Sequence, residues 1–288
     1  KHVISLVSGH AGGANALTQM LADVMWATPV ITTATDVEGQ FSIDDYAREH
    51  NLVVTDWAKA KAISAEVLAT GAKPVWVDEA EVSQEEEKNA CEICKEQKST
   101  GIDVGKIEND GCENEIGVQK LQIGSHQVVI TPQDVSVDAQ TLQLIPRCIV
   151  AGVGCKKGIP VDKIEHAVQD AFAKAGLRME ALCAVVSIDL KKEEAGLLEF
   201  CETRNVPFET YAAEELQAVP GTYSASEFVS GVTGVDNVCE RSAVKYASEH
   251  GMNQGEQLLG RQAKHGELLL RKQAYGGVTV ALAYVCSE

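Results

Sequence analysis

Residues Cys148-Ile149-Val150-Ala151-Gly152-Val153-Gly154-Cys155-Lys156-Lys157-Gly158-Ile159-Pro160 decide the fold. A short apolar run, rich in β-branched residues, meets a glycine-rich turn. Pro160 then sits at a helix start, where its missing N–H costs nothing. Asp162–Ala175 continues as that helix, and Gly176 ends it. Strand, glycine turn and helix in this order read as one α/β unit. Glycine lets backbone approach a ligand closely, and a helix start offers unpaired N–H groups and a positive dipole end. Such a corner holds an anion without a metal.

The same pattern occurs earlier. Val3–Val7 reads as a strand entering Ser8-Gly9-His10-Ala11-Gly12-Gly13-Ala14-Asn15, and Ala14–Met25 has helical spacing at Leu17, Leu21, Val24 and Met25. Pro29–Thr33 is a short strand, Ile43–His50 and Trp57–Thr70 are helices, and Pro74–Val77 is another strand. After Gly176 come a strand at Ala181–Ser187, a helix at Glu193–Arg204 and a strand at Phe208–Tyr211. Helices follow at Ser226–Val232 and Asn237–Glu249, and strands at Leu268–Lys272 and Val278–Val285. Alternation of this kind predicts parallel-type sheets.

Between these regions the chain changes character. Residues 79–146 carry five basic against fourteen acidic side chains, much of the net charge of −17 over 288 residues. This stretch includes Glu85-Glu86-Glu87 and a polar, glycine-interrupted run at 99–117, which reads as a connector or insertion. Val118–Ile123 and Gln127–Thr131 flank Gly124-Ser125 as a hairpin. The expectation is two small α/β domains, 1–78 and 147–288, joined by an acidic middle region, 79–146. The first strand is already in progress at Lys1, so further residues are expected upstream.

Composition narrows the function. A hydrophobic fraction of 45% supports real cores. No run approaches the roughly 20 apolar residues of a membrane span. There is no basic stripe for nucleic acid. Nine cysteines, scattered and odd in number, read as reduced thiols in a cytoplasmic protein.

Each motif admits a functional and a structural reading. His10 can exchange protons near neutral pH at a ligand-binding corner, or be a plain loop histidine. Ser8 and Asn15 can cap the following helix. Thr32, Thr33, Thr35 and Asp36 follow a strand, where hydroxyls can meet carboxylates and Asp36 can orient His10. They equally suit a turn. Lys156 and Lys157 add cations to the second turn, and Cys155 beside them is a packing or contact residue. Lys191 and Glu194 share a helix face, and Lys272 is a further cation. Cys91-x-x-Cys94, with Cys112 and His126, lacks the repeated tight spacing of a zinc site.

Together the motifs resemble the CbiG family, the cobalt-precorrin-5A hydrolases of anaerobic cobalamin (vitamin B12) biosynthesis. The resemblance is carried by Leu6–Asn15, Pro29–Asp36, Ala151–Gly158, Ser187…Lys191…Glu194, Val235–Ala243 and Lys272. The C-terminal half also resembles CobE. Two departures are the expected upstream residues and the substitution of Cys239 and Arg241 within Val235–Ala243.

The resemblance implies a hydrolase that opens the ring-A lactone of a cobalt-bearing tetrapyrrole and releases acetaldehyde, giving cobalt-precorrin-5B. It implies no cofactor, since cobalt arrives within the substrate. Partners would be the polycarboxylate substrate and, transiently, neighbouring pathway enzymes, with no nucleic acid and no membrane. His10, Lys191 and Glu194 would be catalytic. Ser8, Gly9, Gly12, Gly13, Asn15, Thr32, Thr33, Thr35, Asp36, Gly152, Gly154, Cys155, Lys156, Lys157, Gly158 and Lys272 would hold substrate. A non-catalytic corrinoid carrier is the alternative.

Overall fold

The computed structural model describes residues 14–29, 41–77, 118–224, 231, 233–250 and 267–285. It contains two five-stranded sheets, each with helices packed on it.

After helix α1 (Ala14–Met25), the first sheet is built with α2 (Ile43–Glu49), β1 (Leu52–Val54), α3 (Trp57–Thr70), β2 (Val75–Val77), β3 (Gln119–Ile123), β4 (His126–Ile130) and β5 (Thr141–Pro146). Its spatial order is β1-β5-β4-β3-β2. The Asp56 carboxylate caps α3, accepting from Ala58 N–H at 2.8 Å and Lys59 N–H at 3.1 Å. Gly71 ends it at φ +68°, a conformation that favours glycine. The expected hairpin is present, with Ile123 opposite His126. Its turn is tied to α3, because Ser125 donates through N–H and hydroxyl to the Glu66 carboxylate at 2.9 and 2.8 Å. Ile43, Ile63 and Val67 pack on Leu121, Ile123, Val128, Ile130, Leu142 and Leu144 to form this core.

The α/β class is as expected, and the strand pairings add two details. The sheet is mixed, with β4 and β5 as its parallel pair and the other neighbours antiparallel. The boundary at 78/79 does not separate sheets either. β2 pairs with β3, Val77 opposite Lys120, so strands from 119–146 complete the sheet begun by β1 and β2. The hydrophobic faces of these short strands can be buried only jointly.

The second sheet uses β6 (Ile149–Cys155), α4 (Val161–Lys174), β7 (Leu182–Ile188), α5 (Ala195–Arg204), β8 (Phe208–Tyr211), α6 (Ala213–Ala218), α7 (Val238–Glu249), β9 (Leu268–Tyr275) and β10 (Val278–Tyr284). Its order is β8-β7-β6-β10-β9. β6, β7 and β8 are mutually parallel, whereas β10 runs antiparallel to both β6 and β9. Alternation along β6 sends Ile149, Ala151 and Val153 toward α4 and α5, and Val150 toward α6 and α7. The result is a three-layer α/β/α unit. Among the described residues no helix is long and apolar enough to cross a membrane.

Candidate functional site

The parallel strands β6, β7 and β8 end on one edge of the second sheet, the edge where open α/β sheets bind ligands. Antiparallel β10 starts at that edge, with Val278 opposite Cys155. The Gly276-Gly277 turn therefore lies beside the loop after β6, and Lys156 N–H donates to Gly277 O at 3.0 Å. Lys156, Lys157 and Gly158 are exposed there.

Lys191 and Glu194 reach the same loop. They follow β7 through a short 3-10 turn, and Glu194 is the residue that opens α5. Gly158 N–H donates to Glu194 Oε1 at 2.6 Å, and Lys191 Nζ donates to Glu194 Oε2 at 2.9 Å. The two side chains are 15% and 8% exposed, so this is a shielded pair. Burial on its own raises the Glu194 carboxyl. The Lys191 ammonium and the Gly158 N–H outweigh it and hold the group below its ordinary value. Glu194 is thus a fixed anion that ties the cationic loop to α5.

That geometry changes the reading of several glycines. Gly158 has φ +73° and open space around it, so conformation alone explains it, and its N–H is taken by Glu194. Gly152 serves packing. A Cβ there would lie 1.9 Å from Cys239 O at the start of α7, so a helix backbone makes the close approach that was expected of a ligand. A Cβ on Gly154 would meet Thr279 Oγ1 at 2.7 Å, which is again contact within the sheet. Ser187 is consumed in the same way, its buried hydroxyl donating to Val153 O at 2.6 Å. Gly196, which sequence reasoning missed, lets α5 press on the loop: its Cβ would lie 2.3 Å from Ile159 O.

Cys155 lies at the end of β6, where burial pushes its thiol up despite the nearby Lys191. Burial also raises Cys183, Cys201 and Cys239 to about 12. Among the described residues, Cys148, Cys155, Cys183, Cys201 and Cys239 form no disulfide.

Glu240 is the polar residue missed by sequence reasoning. It is fully buried near the start of α7. One oxygen accepts from Ser224 N–H at 2.9 Å. The other accepts from the Ser224 hydroxyl at 2.9 Å and from Lys272 N–H at 2.7 Å. Lys272 therefore joins this network through its backbone. Asn237 caps α7 by accepting from Glu240 N–H at 2.9 Å. Asn237-x-x-Glu240 has the sequence form of a capping box, and that was the available signal. Here, however, the glutamate joins two distant segments instead of reaching back to the cap. Next to it, Arg241 grips Asp236 at 2.7 and 3.3 Å and donates to Leu216 O and Val219 O at the end of α6.

The structure thus brings Lys156, Lys157, Gly158, Lys191 and Glu194 together, with Cys155 at the strand end beneath them. Ser8, Gly9, His10, Gly12, Gly13, Thr32, Thr33, Thr35 and Asp36 lie outside the described residues, as do Cys91, Cys94 and Cys112. Asn15 is in the first turn of α1. His126 Nε2 lies 3.4 Å from Glu66 Oε2 on the first sheet. The expected helix at 226–232 falls largely outside the described residues.

Comparison with known proteins adds a second line of observation. The pattern described as cobalamin synthesis G C-terminus matches residues 149–283, and that of the cobalamin synthesis G N-terminal matches residues 1–36. The cobalt-precorrin-5A hydrolase of Salmonella typhimurium (strain LT2) is 32% identical over 285 residues, covering 98% of this chain and 71% of the relative. A cobalt-precorrin-5A hydrolase of Priestia megaterium is 25% identical, covering 99% and 69%. The crystal structure of CobE, a protein from the cobalamin (vitamin B12) biosynthetic pathway, aligns with 49% of this chain and 92% of its own at a TM-score of 0.41 and 26% identity. Both family patterns in their proper order, with 32% identity across nearly the whole length, mean that the chain belongs to the CbiG family of cobalt-precorrin-5A hydrolases.

Proposed function

We propose that this chain hydrolyses cobalt-precorrin-5A in anaerobic cobalamin biosynthesis, working in the cytoplasm. Water opens the ring-A lactone, and a carbon–carbon bond then breaks to release acetaldehyde, leaving cobalt-precorrin-5B. The near-full-length identity to a cobalt-precorrin-5A hydrolase is the observation that carries this reading. The cationic strand-end corner supports it, because a tetrapyrrole at this stage is a polycarboxylate.

In this reading Lys156 and Lys157 hold peripheral carboxylates. Each exposed contact of this kind contributes only about 0.3–1 kcal/mol, so several act together. His10 takes the proton of the attacking water. Lys191 presents its ammonium to the oxygen that gains charge as the lactone opens. Glu194, already ionised and bonded on both oxygens, is a poor proton donor near neutral pH. It acts as a positioning residue that aims Lys191 and fixes the loop. The cobalt belongs to the substrate.

The test is turnover with cobalt-precorrin-5A, read as acetaldehyde release. His10→Ala and Lys191→Met are expected to lower kcat at least a hundredfold, by loss of general-base and charge-stabilising groups respectively. Acetaldehyde release at the wild-type rate by His10→Ala removes His10 as the base. Tight binding of the substrate without any release by the wild-type chain would instead establish a carrier.

A further inference from the structure

Glu240 is a buried ionisable group that the hydrolytic reading leaves without a task. Its carboxylate is fully buried near the start of α7. Among the described residues it meets neutral donors alone: Ser224 N–H at 2.9 Å, the Ser224 hydroxyl at 2.9 Å and Lys272 N–H at 2.7 Å. Taking a carboxylate out of water with no cation bonded to it is costly, and an apolar side chain would join α7 to its neighbours at less cost. The grip itself therefore has a use.

What Glu240 grips is irregular backbone. Along β9, Gln273 stands opposite Val280 and Leu270 opposite Leu282. Arg271 and Lys272 therefore share the single partner Ala281, which makes a β-bulge. A bulge takes a residue out of the ladder and re-aims the side chains it carries. Glu240 supplies the acceptor for Lys272 N–H. Arg271 fastens the other half of the bulge, donating through Nη1 to Thr222 O at 3.2 Å. Asn237 Nδ2 donates to Ser224 O at 3.0 Å. The bulge, the segment 222–224 and the first turn of α7 are thus locked to one another.

This knot lies on the side of the sheet that carries the cationic corner. α7 begins beside Gly152, near the carboxyl end of β6, where a Gly152 Cβ would meet Cys239 O. β9 is two strands from β6, roughly 10 Å across at the usual strand spacing. The Lys272 ammonium is close enough to Cys239 to oppose the effect of burial on that thiol, so it projects on the α7 face. Lys272 is partly buried, and among the described residues its ammonium makes no hydrogen bond or ion pair. A cation held in place without an anion is ready for one.

On the premise that the substrate is the tetrapyrrole polycarboxylate proposed above, we propose that Glu240 is a positioning residue for its binding: by pinning the β9 bulge it aims the Lys272 ammonium at a further peripheral carboxylate. Glu240 acts through Lys272 and does not itself touch the substrate. An ammonium on a fixed backbone loses less freedom on binding than one on a loose strand, so the effect falls on affinity and not on the chemical step.

The test is a double-mutant cycle on the Kd for cobalt-precorrin-5A, read by rapid-mixing absorbance before turnover, beside kcat and KM from acetaldehyde release. Lys272→Met should weaken binding about tenfold, as for one charged hydrogen bond. Glu240→Gln leaves a backbone N–H without its acceptor and should weaken binding about threefold or more, raising KM while kcat stays within about twofold. Ser224→Ala removes the hydroxyl bound to the same carboxylate. It is the milder variant if Glu240→Gln does not fold, and should weaken binding about twofold. In the Lys272→Met background either change should alter Kd by less than about 1.5-fold, because the residues act as one unit. Wild-type affinity in Lys272→Met, or in both Glu240→Gln and Ser224→Ala, would overturn the proposal, as would an undiminished effect of either change in the Lys272→Met background. Failure of the hydrolytic reading looks different: the wild-type chain then binds the macrocycle without releasing acetaldehyde, and the cycle on Kd still decides the role of Glu240. If the wild-type chain binds no macrocycle, both fall.

Discussion

Replacing Gly152 by alanine separates packing from ligand contact as the reason for that glycine. The new methyl carbon would start 1.9 Å from Cys239 O, 2.8 Å from Cys239 C and 3.0 Å from Ala243 Cβ. Ordinary contact begins near 3.4 Å, so the first turn of α7 must retreat by about 1.5 Å, because backbone cannot rotate away as a side-chain tip can. Overpacking of this kind costs roughly 1–3 kcal/mol. The retreat also carries Glu240 away from Ser224 and Lys272, and each hydrogen bond to a charged group is worth about 1.5–3 kcal/mol. A total loss of at least about 3 kcal/mol follows, which lowers the thermal midpoint by roughly 6–12 °C in a chain of this size class. Differential scanning calorimetry of Gly152→Ala reads this directly. Gly158→Ala is the internal control: its Cβ meets nothing, and the φ of +73° costs only about 1 kcal/mol. A Gly152→Ala midpoint within 1–2 °C of the wild type, with substrate binding lost, would refute the packing argument and return Gly152 to the ligand.

Lys191→Met tests the linkage between charge and fold. The folded-state carboxyl of Glu194 sits below its ordinary 4.5, so its contribution is complete above pH 4.5 and fades as pH falls through the depressed folded value. Without Lys191 the carboxyl loses much of that depression, so less stability is lost as pH falls below 4.5. The urea midpoint should therefore drop less on acidification than in the wild type, and parallel pH profiles would contradict this. Lys156→Glu combined with Lys157→Glu reverses two exposed charges and should raise KM for cobalt-precorrin-5A about tenfold or more while leaving the thermal midpoint within about 2 °C. An unchanged KM removes both lysines from the binding surface. Arg241→Met strips Asp236 and the end of α6 of their shared donor and should cost about 3–5 kcal/mol in urea unfolding. A cost below about 1 kcal/mol would show that the network is dispensable.

How far the sequence could be read depends on what each signal encodes. Val118–Thr131 was legible as a hairpin because alternation and Gly124-Ser125 agree. α3 was legible through its apolar spacing, and the strand–turn–helix at Ile149–Ala175 through the change of period at a glycine cluster. β5 escaped notice because buried Gln143 interrupts its apolar run. The Gln143 amide is satisfied locally by donating to Gln133 O at 2.8 Å, so a polar letter sits in a fully buried strand. The short α6 escaped for want of a full helical period.

Lys191 and Glu194 were found by their spacing, but the spacing did not say that Gly158 would complete the set. One ambiguity of the sequence has a single physical cause. A missing Cβ looks the same in a sequence whether the neighbour is a ligand, as expected at Gly152, or a helix backbone, as found there. Glu240 illustrates the converse: its partners lie in Ser224 and Lys272, far along the chain, so no local pattern announces them.

The pairing of Val77 with Lys120 has a practical result for anyone engineering this chain. A fragment meant to carry the first sheet must run through Pro146, because a chain stopped at Val77 would leave β1 and β2 without β5 and β3, the strands that pair with them.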